Sequence, residues 1–291
     1  MADIRYDDRI AVITGAGGGL GRSYALYLAA RGANVVVNDL GGSADGEGGD
    51  SRPADTVVEE IRAAGGEAVA NYDSVATAEG GESIIATAVD AFGGVDIVIN
   101  NAGILRDASL AKMTSDNFDI LIDVHLKGAY YVTQPAFRLM KERGYGRVVY
   151  TTSAAGLFGN FGQANYAAAK MGLVGLSSVT AIEVAKYNIK SNVIAPIALT
   201  RLTEGLMGSM GDAFAPEYIA PLVAYLVSEE CPYSHEIFDV GAGRYARIFV
   251  GSAPGWNAPE GTVPDVEAVR DNLDAIYSIE DFKIPGSALE A

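Results

Sequence analysis

The stretch QANYAAAK, residues 163–170, places a phenol and an amine at a spacing that suits chemistry. Alanine favours a helix, so Tyr166 and Lys170, four residues apart, lie one turn apart on the same helix face. Tyrosine has an ordinary pKa of about 10 and lysine one of about 10.4, so neither titrates near neutral pH. A nearby positive charge favours the phenolate, however. The pair therefore indicates proton transfer and needs elements that hold it in place.

Short β-branched runs alternate with helical segments and predict those elements. The runs are near-continuously apolar, which is typical of strands buried on both faces of a parallel sheet. They cover residues 9–15, 33–39, 67–74, 95–101, 146–153, 189–196 and 236–243. The helical segments cover residues 20–31, 53–64, 79–92, 115–143, 164–187 and 216–228. This alternation predicts an α/β fold, a single-domain, Rossmann-like, doubly wound sheet of seven parallel strands with helices on both faces.

Two segments fall outside the alternation. Residues 41–53 form a Gly/Asp-rich stretch after the second strand, for which we predict a mobile surface connection. We expect residues 1–244 to form the catalytic domain and residues 245–291 a C-terminal extension. The extension contains Trp256 and one amphipathic stretch, VPDVEAVRDNLDAIYS. A lone helix with an apolar stripe is stable when that stripe is buried. We therefore expect the extension to pack on its own domain or on a partner subunit.

The Gly-rich segment TGAGGGLG, residues 14–21, joins the first strand to the first helix. At such a junction Gly15 would make the turn, Gly19 would let the backbone approach a pyrophosphate, and Gly21 would allow close helix packing. Unpaired N–H groups at the helix start, where Leu20 lies, would hold the phosphates. The segment predicts a dinucleotide site, and a Gly-rich turn without a ligand is the alternative.

Residues at the ends of the second, third and fourth strands extend this site, because open α/β sheets bind ligands at the carboxyl edge. Asp39 follows Gly19 by 20 residues, and its carboxylate would accept hydrogen bonds from the ribose hydroxyls and repel a 2′-phosphate. No arginine stands beside it in VVNDLGG, which favours NAD over NADP. The other candidates at these strand ends are Asp73, Ser74, Asn101, Ala102 and Gly103.

Composition limits the classes of binding partner and the cellular compartment that we expect. A formal charge of −16 argues against nucleic acid and anionic membranes, although it allows a small anionic ligand in a local pocket. Cys231 is the one cysteine, so the chain can form no internal disulfide. The N-terminus lacks an apolar signal core, and no apolar run is expected to reach the ~20 residues of a membrane span. We therefore expect a cytoplasmic protein.

TGAGGGLG, NNAG, Ser153 and YAAAK, in this order, resemble the short-chain dehydrogenases/reductases over roughly the first 245 residues. The segments VVVNDLGG, NNAGILRD and GNFGQANY are similar to one branch, the (3R)-hydroxyacyl-CoA dehydrogenase part of peroxisomal multifunctional enzyme type 2. The resemblance implies an NAD-linked dehydrogenase that oxidises (3R)-hydroxyacyl-CoA to 3-ketoacyl-CoA in fatty acid or sterol side-chain β-oxidation. Because the sequence ends at residue 291, we expect a stand-alone dehydrogenase. That branch also oxidises 17β-hydroxysteroids, which is the alternative activity. A non-catalytic NAD-binding protein is the third hypothesis.

The resemblance also implies roles for single residues. Tyr166 is the general base, and Lys170 lowers its pKa and binds the nicotinamide ribose. Ser153 holds the substrate oxygen. The remaining cofactor contacts come from the segment around the end of the sixth strand, namely Pro196, Ala198 and Thr200.

Two residues depart from the family pattern. His125 stands where the family commonly has the asparagine of a catalytic tetrad, and the branch shares this histidine. It either braces its helix by hydrogen bonds or takes part in a proton relay beyond Lys170. Ile197 replaces the usual glycine after the proline and would add bulk near the nicotinamide.

Three further expectations concern the substrate and the assembly. Residues 201–214 are expected to form a mobile, Met-rich lid that suits an acyl or steroid body. Basic residues at the entrance would suit CoA phosphates, unless they are solvated surface charges, and the candidates are Arg106, Lys112 and Arg201. Because the family pairs its long helices, here 115–143 and 164–187, a homodimer or homotetramer is expected.

Overall fold

The computed structural model describes residues 3–200 and 214–290. The chain divides into two units, residues 1–247 and residues 248–291. Eight strands form one sheet: β1 (Ile10–Thr14), β2 (Asn34–Asn38), β3 (Glu67–Asn71), β4 (Ile97–Asn100), β5 (Gly146–Thr151), β6 (Ile189–Ile197), β7 (Ile237–Gly241) and β8 (Arg244–Ile248). Their spatial order is β3-β2-β1-β4-β5-β6-β7-β8, and every pair from β3 to β7 is parallel. The α/β, Rossmann-like fold is thereby confirmed.

The eighth strand is absent from the sequence prediction of seven. Only Ala242 and Gly243 separate β7 from β8, and both have positive φ, 47° and 76°. A two-residue connection of this kind makes a hairpin, because a parallel crossover needs a dozen residues or more. We missed β8 because its sequence, RYARI, is partly exposed and charged, as befits a strand at the edge of a sheet.

Helices cover both faces of the sheet and alternate with the strands as predicted. They are α1 (Gly19–Ala29), α2 (Arg52–Ala63), α3 (Ala78–Phe92), α4 (Ser115–Leu121), α5 (Gly128–Arg143), α6 (Ala154–Phe158), α7 (Ala164–Val184) and α8 (Ala220–Val227). On one face α1, α2 and α8 pack over alternate residues of the strands, with Ile13, Val37 and Ile99 in the shared core. On the other face α3 packs against α5, and α7 packs against β5 and β6.

The single helix predicted over 115–143 is divided. Thr114 caps α4 by accepting a hydrogen bond from the Asn117 N–H at 3.2 Å, and a wide π-helical turn, Ile122–Lys127, joins α4 to α5. Such turns are rare and often lie at functional sites. Here the turn carries His125, which is buried. The short α6 was also not predicted.

By length and composition, Ala164–Tyr187 could cross a membrane, against our expectation that no run would. Its apolar composition has another cause in this fold. Helix α7 lies against the sheet and buries Leu173, Val174 and Val184 among others. The segment therefore has the character of a core helix.

The second unit contains two short helices, α9 (Val266–Asp271) and α10 (Leu273–Tyr277). The Asp265 carboxylate caps α9 by accepting a hydrogen bond from the Ala268 N–H at 2.8 Å. Ser252 and Lys283 form an antiparallel bridge beside the stacked rings of Phe249 and Phe282, whose centroids are 5.5 Å apart. What this extension packs against stays a prediction.

Candidate active site

Five neighbouring strands, in the spatial order β3, β2, β1, β4 and β5, all end on a buried polar residue at the same edge of the sheet. In that order these residues are Asn71, Asn38, Thr14, Asn100 and Thr151. The ends of β1 and β4 are joined directly. Thr14 Oγ1 accepts hydrogen bonds from the N–H groups of Asn101 and Ala102, each at 3.1 Å, and the Asn101 amide donates to the carbonyls of Thr14 and Gly15. Asn101 therefore braces the carboxyl edge of the sheet, a role that its position in the sequence alone did not show.

The Gly-rich turn leaves room for a ligand where the sequence predicted it. Gly15 has φ +65°, and a Cβ on Gly21 would lie 2.3 Å from the Gly15 carbonyl oxygen, so helix and turn meet at closest approach. A Cβ on Gly18 would meet nothing within 4 Å, and no side chain caps the first turn of α1, where Gly19 and Leu20 lie. This open helix start fits a pyrophosphate.

Asp39 connects the Gly-rich turn to the segment that follows β2. Its Oδ2 accepts a hydrogen bond from the Gly17 N–H at 2.8 Å, and its Oδ1 accepts one from the Gly41 N–H at 2.7 Å. Each carboxylate oxygen can accept a second hydrogen bond. The arrangement therefore fixes the carboxylate and keeps acceptor capacity for two ribose hydroxyls.

The residues after β3 are engaged within the protein. Asp73 Oδ2 accepts hydrogen bonds from the Asn71 amide at 2.8 Å and the Ser83 hydroxyl at 2.7 Å, which ties β3 to α3. Ser74 Oγ accepts a hydrogen bond from the Ala76 N–H at 3.2 Å. Both residues lie at the predicted edge, and their contact with the cofactor stays a prediction.

The end of β6 approaches the Gly-rich turn. Pro196 lies within β6 opposite Val240, and Ala198 is buried just beyond the strand. The Thr200 methyl lies 3.4 Å from the position of a Cβ on Gly19. Of the predicted lid, residues 201–214, only Phe214 lies within the described residues, so Arg201 lies outside them.

Helices α6 and α7 bring together the residues predicted to do chemistry. Ser153 caps α6 by accepting a hydrogen bond from the Ala155 N–H at 3.2 Å, and its side chain lies close enough to Tyr166 to lower the pKa of the phenol. The Lys170 amine donates to the Thr151 carbonyl at 2.7 Å and lies 5.4 Å from the centre of the Tyr166 ring. Lys170 is only 3% exposed. The predicted triad is therefore assembled at the end of β5.

Burial opposes the activation expected of this pair. It raises the pKa of Tyr166 to about 12, against a smaller lowering by the hydrogen bond with Ser153. Burial, which penalises a charged amine, also lowers the pKa of Lys170 to about 7. Desolvation penalises both charged forms. The chain alone therefore keeps Tyr166 protonated, contrary to the expected lowering of its pKa by Lys170.

His125 braces the turn that follows β4. Its Nε2 lies 2.8 Å from the Ile104 carbonyl oxygen and 3.1 Å from the Ile104 nitrogen, and its ring meets Tyr166 edge-on with centroids 5.2 Å apart. A Cβ on Gly103 would lie 2.5 Å from the ring, which explains the glycine. Burial and the Lys170 charge hold the pKa of His125 well below its ordinary value. The geometry shows an imidazole that braces the backbone, and burial favours its neutral form.

A small cavity adjoins His125 and Lys170, and Thr14 and Asn100 also line it. Within residues 3–200 and 214–290, His125 Nδ1 and Asn100 Oδ1 are buried without a hydrogen-bond partner. Unsatisfied polar atoms beside a water-sized space are where proteins hold buried water. The relay alternative for His125 therefore stays open beside the brace.

The short chain dehydrogenase family model matches residues 9–207. The chain belongs to the short-chain dehydrogenase family. A short-chain type dehydrogenase/reductase of Mycobacterium tuberculosis is 51% identical over 283 residues, which cover 97% of this chain and 98% of the relative. Hydroxyacyl-CoA dehydrogenase ChsB1 of the same organism is 36% identical over 293 residues, which cover 90% of each chain.

A solved structure agrees with this assignment. Full-length peroxisomal multifunctional enzyme type 2 from Drosophila melanogaster superposes with a TM-score of 0.83 and 41% identity. The match covers 99% of this chain and 48% of that enzyme, so the chain spans about half of the longer protein. These comparisons confirm the predicted resemblance and the prediction of a short-chain dehydrogenase/reductase enzyme. Members of this family use a nicotinamide dinucleotide, which the open start of α1 and Asp39 fit.

Asn165 is a positioning residue of this short-chain dehydrogenase that sequence reasoning missed. It is fully buried, and its Oδ1 accepts the Tyr166 N–H at 2.8 Å. Its amide donates to the carbonyls of Arg106 at 3.0 Å and Asn117 at 2.8 Å. It thus fastens the segment after β4 and the start of α4 to the first turn of α7. The available signal was an asparagine at a helix start, which is typical of capping.

Residues 41–53 are anchored in the structure rather than left as a free surface connection. The Leu105 N–H donates to the Ala44 carbonyl at 3.0 Å, and Arg106 binds the Glu47 carboxylate at 2.6 Å and the Asp45 carbonyl at 2.8 Å. The segment therefore reaches from Asp39 at the end of β2 to the turn after β4. Arg106, a candidate for CoA phosphates, is paired with Glu47 instead.

Replacing Lys170 tests the cost of its burial. Its folded pKa of about 7 lies below the ordinary 10.5, so the unfolded chain binds more protons between those pH values. The free energy of unfolding of the wild type should therefore rise with pH across this window, by about 2–3 kcal/mol from pH 6 to pH 9 relative to Lys170→Met. Urea unfolding at pH 6, 7.5 and 9 measures this difference.

Lys112→Met is the matched control, because Lys112 is exposed. Its difference from the wild type should stay constant with pH. A constant difference for Lys170→Met as well would contradict the buried, partly neutral amine.

Proposed function

We propose that this chain catalyses the NAD-dependent oxidation of (3R)-hydroxyacyl-CoA to 3-ketoacyl-CoA. One observation carries the proposal: Ser153, Tyr166 and Lys170 are assembled beside an open dinucleotide cradle at the carboxyl edge of the sheet. The name of the M. tuberculosis relative, a hydroxyacyl-CoA dehydrogenase matched over 90% of each chain, supports this substrate class. The match to a multifunctional enzyme supports it too.

Ser153, Tyr166 and Lys170 each have a separate role in the transfer of one proton. Tyr166 takes the proton of the substrate hydroxyl, and Ser153 holds the substrate oxygen beside it. Lys170, anchored to Thr151, places a positive charge near the phenol and orients the nicotinamide ribose. When bound, the oxidised cofactor accepts the hydride and adds positive charge. That charge opposes the burial that keeps the pKa of Tyr166 near 12 in the chain alone.

NAD is the proposed cofactor because of Asp39. Its carboxylate is held by two backbone N–H groups, and a 2′-phosphate would be repelled by it. The arginines that begin α2 and lie on α1 do not offer a free cation, since Arg22 binds Glu60 and Arg52 binds Asp50. The described residues thus favour a free 2′-hydroxyl at this position.

A 17β-hydroxysteroid is the second candidate substrate. It is favoured by one observation: Arg106, one of three cations proposed for CoA phosphates, is paired with Glu47. Of the other two, Lys112 is exposed and Arg201 lies outside the described residues. Because both substrates need the same triad, only a direct comparison separates them.

The chain is proposed to form a homodimer through α5 and α7. Helix α7 carries exposed apolar side chains at Met171, Val179 and Ile182, which share one face, and Tyr130 of α5 is also half exposed. On that face a Cβ on Gly175 would meet nothing within 4 Å. An exposed apolar stripe on a long helix is typical of a subunit contact.

Initial rates with a panel of substrates test the activity. With NAD, we expect the (3R)-hydroxyacyl-CoA ester to exceed both its (3S) isomer and estradiol at least ten-fold in kcat/KM, and NADP to be at least ten-fold poorer. Tyr166→Phe should lose at least a hundred-fold in kcat, because it removes the base. Ser234→Ala, at the opposite edge of the sheet, is the control and should keep wild-type rates. A preference for the (3S) ester, for estradiol or for NADP would contradict the corresponding part of the proposal.

Sedimentation of the purified chain tests the dimer. We expect the wild type at micromolar concentration to have twice the monomer mass, and Ile182→Asp to be monomeric, because a charge would be buried in the contact. Glu183→Gln, beside it on α7, is the control and should stay dimeric. A wild-type monomer, or a dimeric Ile182→Asp variant, would exclude this interface.

A further inference from the structure

Three large apolar side chains are exposed near the active site. Phe161 is 90% exposed, Leu110 is 78% exposed and Phe158 is 73% exposed. Phe158 ends α6, and Phe161 stands in the turn GNFG, where Gly159 and Gly162 have φ of +79° and +81°. Large aromatic side chains left in water are costly unless something covers them. We call these three residues the apolar rim.

Hydrogen bonds tie together the two loops that carry the rim. The Ala108 N–H donates to the Gly162 carbonyl at 2.9 Å, and Ala108 and Gln163 form a parallel bridge. The Gln163 amide donates to the Asp107 carboxylate at 2.8 Å. Leu110 and Phe161 each stand two residues from this bridge, so the rim belongs to one connected surface. The hydrogen bonds between the two loops therefore hold the backbone that carries Leu110 and Phe161.

The rim continues the wall of the catalytic triad. Ser153 caps the same short helix that Phe158 ends, and Phe161 precedes Tyr166 by five residues. Residues 148–169 contain no Asp, Glu, Lys or Arg, although charged residues make up 20% of the chain. This wall therefore offers no partner to the phosphates of CoA. It suits an uncharged, apolar body attached to the carbon that is oxidised.

We infer that the apolar rim binds the hydrocarbon chain of the acyl group and makes the enzyme selective for medium and long chains over short ones. The inference rests on the proposed function and names the part of the substrate that determines its rate. Burial of successive methylene groups against Phe158 and Phe161 would raise kcat/KM with chain length. A chain of four carbons would end near Ser153 and gain little.

The test compares kcat/KM for (3R)-hydroxyacyl-CoA esters of four, eight and twelve carbons. The wild type should gain at least ten-fold from four to twelve carbons. Phe158→Ser and Phe161→Ser should stay within two-fold of the wild type at four carbons and lose about ten-fold at twelve, chiefly through KM. Tyr233→Ser is the control, because Tyr233 is half exposed before β7, at the opposite edge of the sheet, and it should keep the wild-type profile.

The outcomes separate this inference from the proposed function. A wild type that oxidises the esters with no gain from chain length, or rim variants with an unchanged profile, overturns the inference and leaves the proposed function intact. A wild type that oxidises no ester overturns both. Sedimentation of Phe161→Ser tests the other occupant, a second copy of the chain. Conversion to monomers with an unchanged chain-length profile would make the rim a subunit contact and overturn the inference.

Discussion

The hydrogen bond from the Lys170 amine to the Thr151 carbonyl, 2.7 Å long, is the contact on which the site depends. It pins α7 to the end of β5 and thereby sets where Tyr166, one turn earlier, faces the carboxyl edge. Close packing supports it, because a Cβ on Gly156 of α6 would lie 2.7 Å from the Lys170 Cβ. Ser153, at the start of α6, is placed by the same packing. A longer side chain at Gly156 would separate the two helices and open the triad.

This contact has an energetic cost that the fold tolerates. Burial lowers the pKa of Lys170 to about 7 and raises the pKa of Tyr166 to about 12, so both groups are held away from their charged forms. Among the described residues, four buried side-chain polar atoms lack a hydrogen-bond partner, and two of them belong to His125 and Asn100, which line the cavity beside Lys170. Functional sites commonly hold such locally unfavourable arrangements, which the rest of the core outweighs. A site of this kind responds strongly to a bound positive charge.

The sequence allowed much of this to be predicted, for identifiable reasons. Continuous apolar runs predicted the strands β1 to β7, and the glycines of TGAGGGLG predicted the turn after β1, because both signals are local in the sequence. The edge strand β8 and the wide turn around His125 escaped prediction, since neither has an apolar period. The bracing by Asn101 and Asn165 joins residues far apart in the chain, which no local pattern shows. The opposing pKa shifts arise from burial, which only the folded arrangement determines.

The central claim is that Tyr166 becomes a base only when positive charge is bound beside it. The most direct measurement is an ultraviolet titration of tyrosinate in the wild type minus Tyr166→Phe, with and without NAD. The account predicts no difference signal below about pH 10 without NAD, since the pKa of Tyr166 is raised to about 12. It predicts a signal one or more pH units lower with NAD. Superimposable titrations with and without NAD would contradict it.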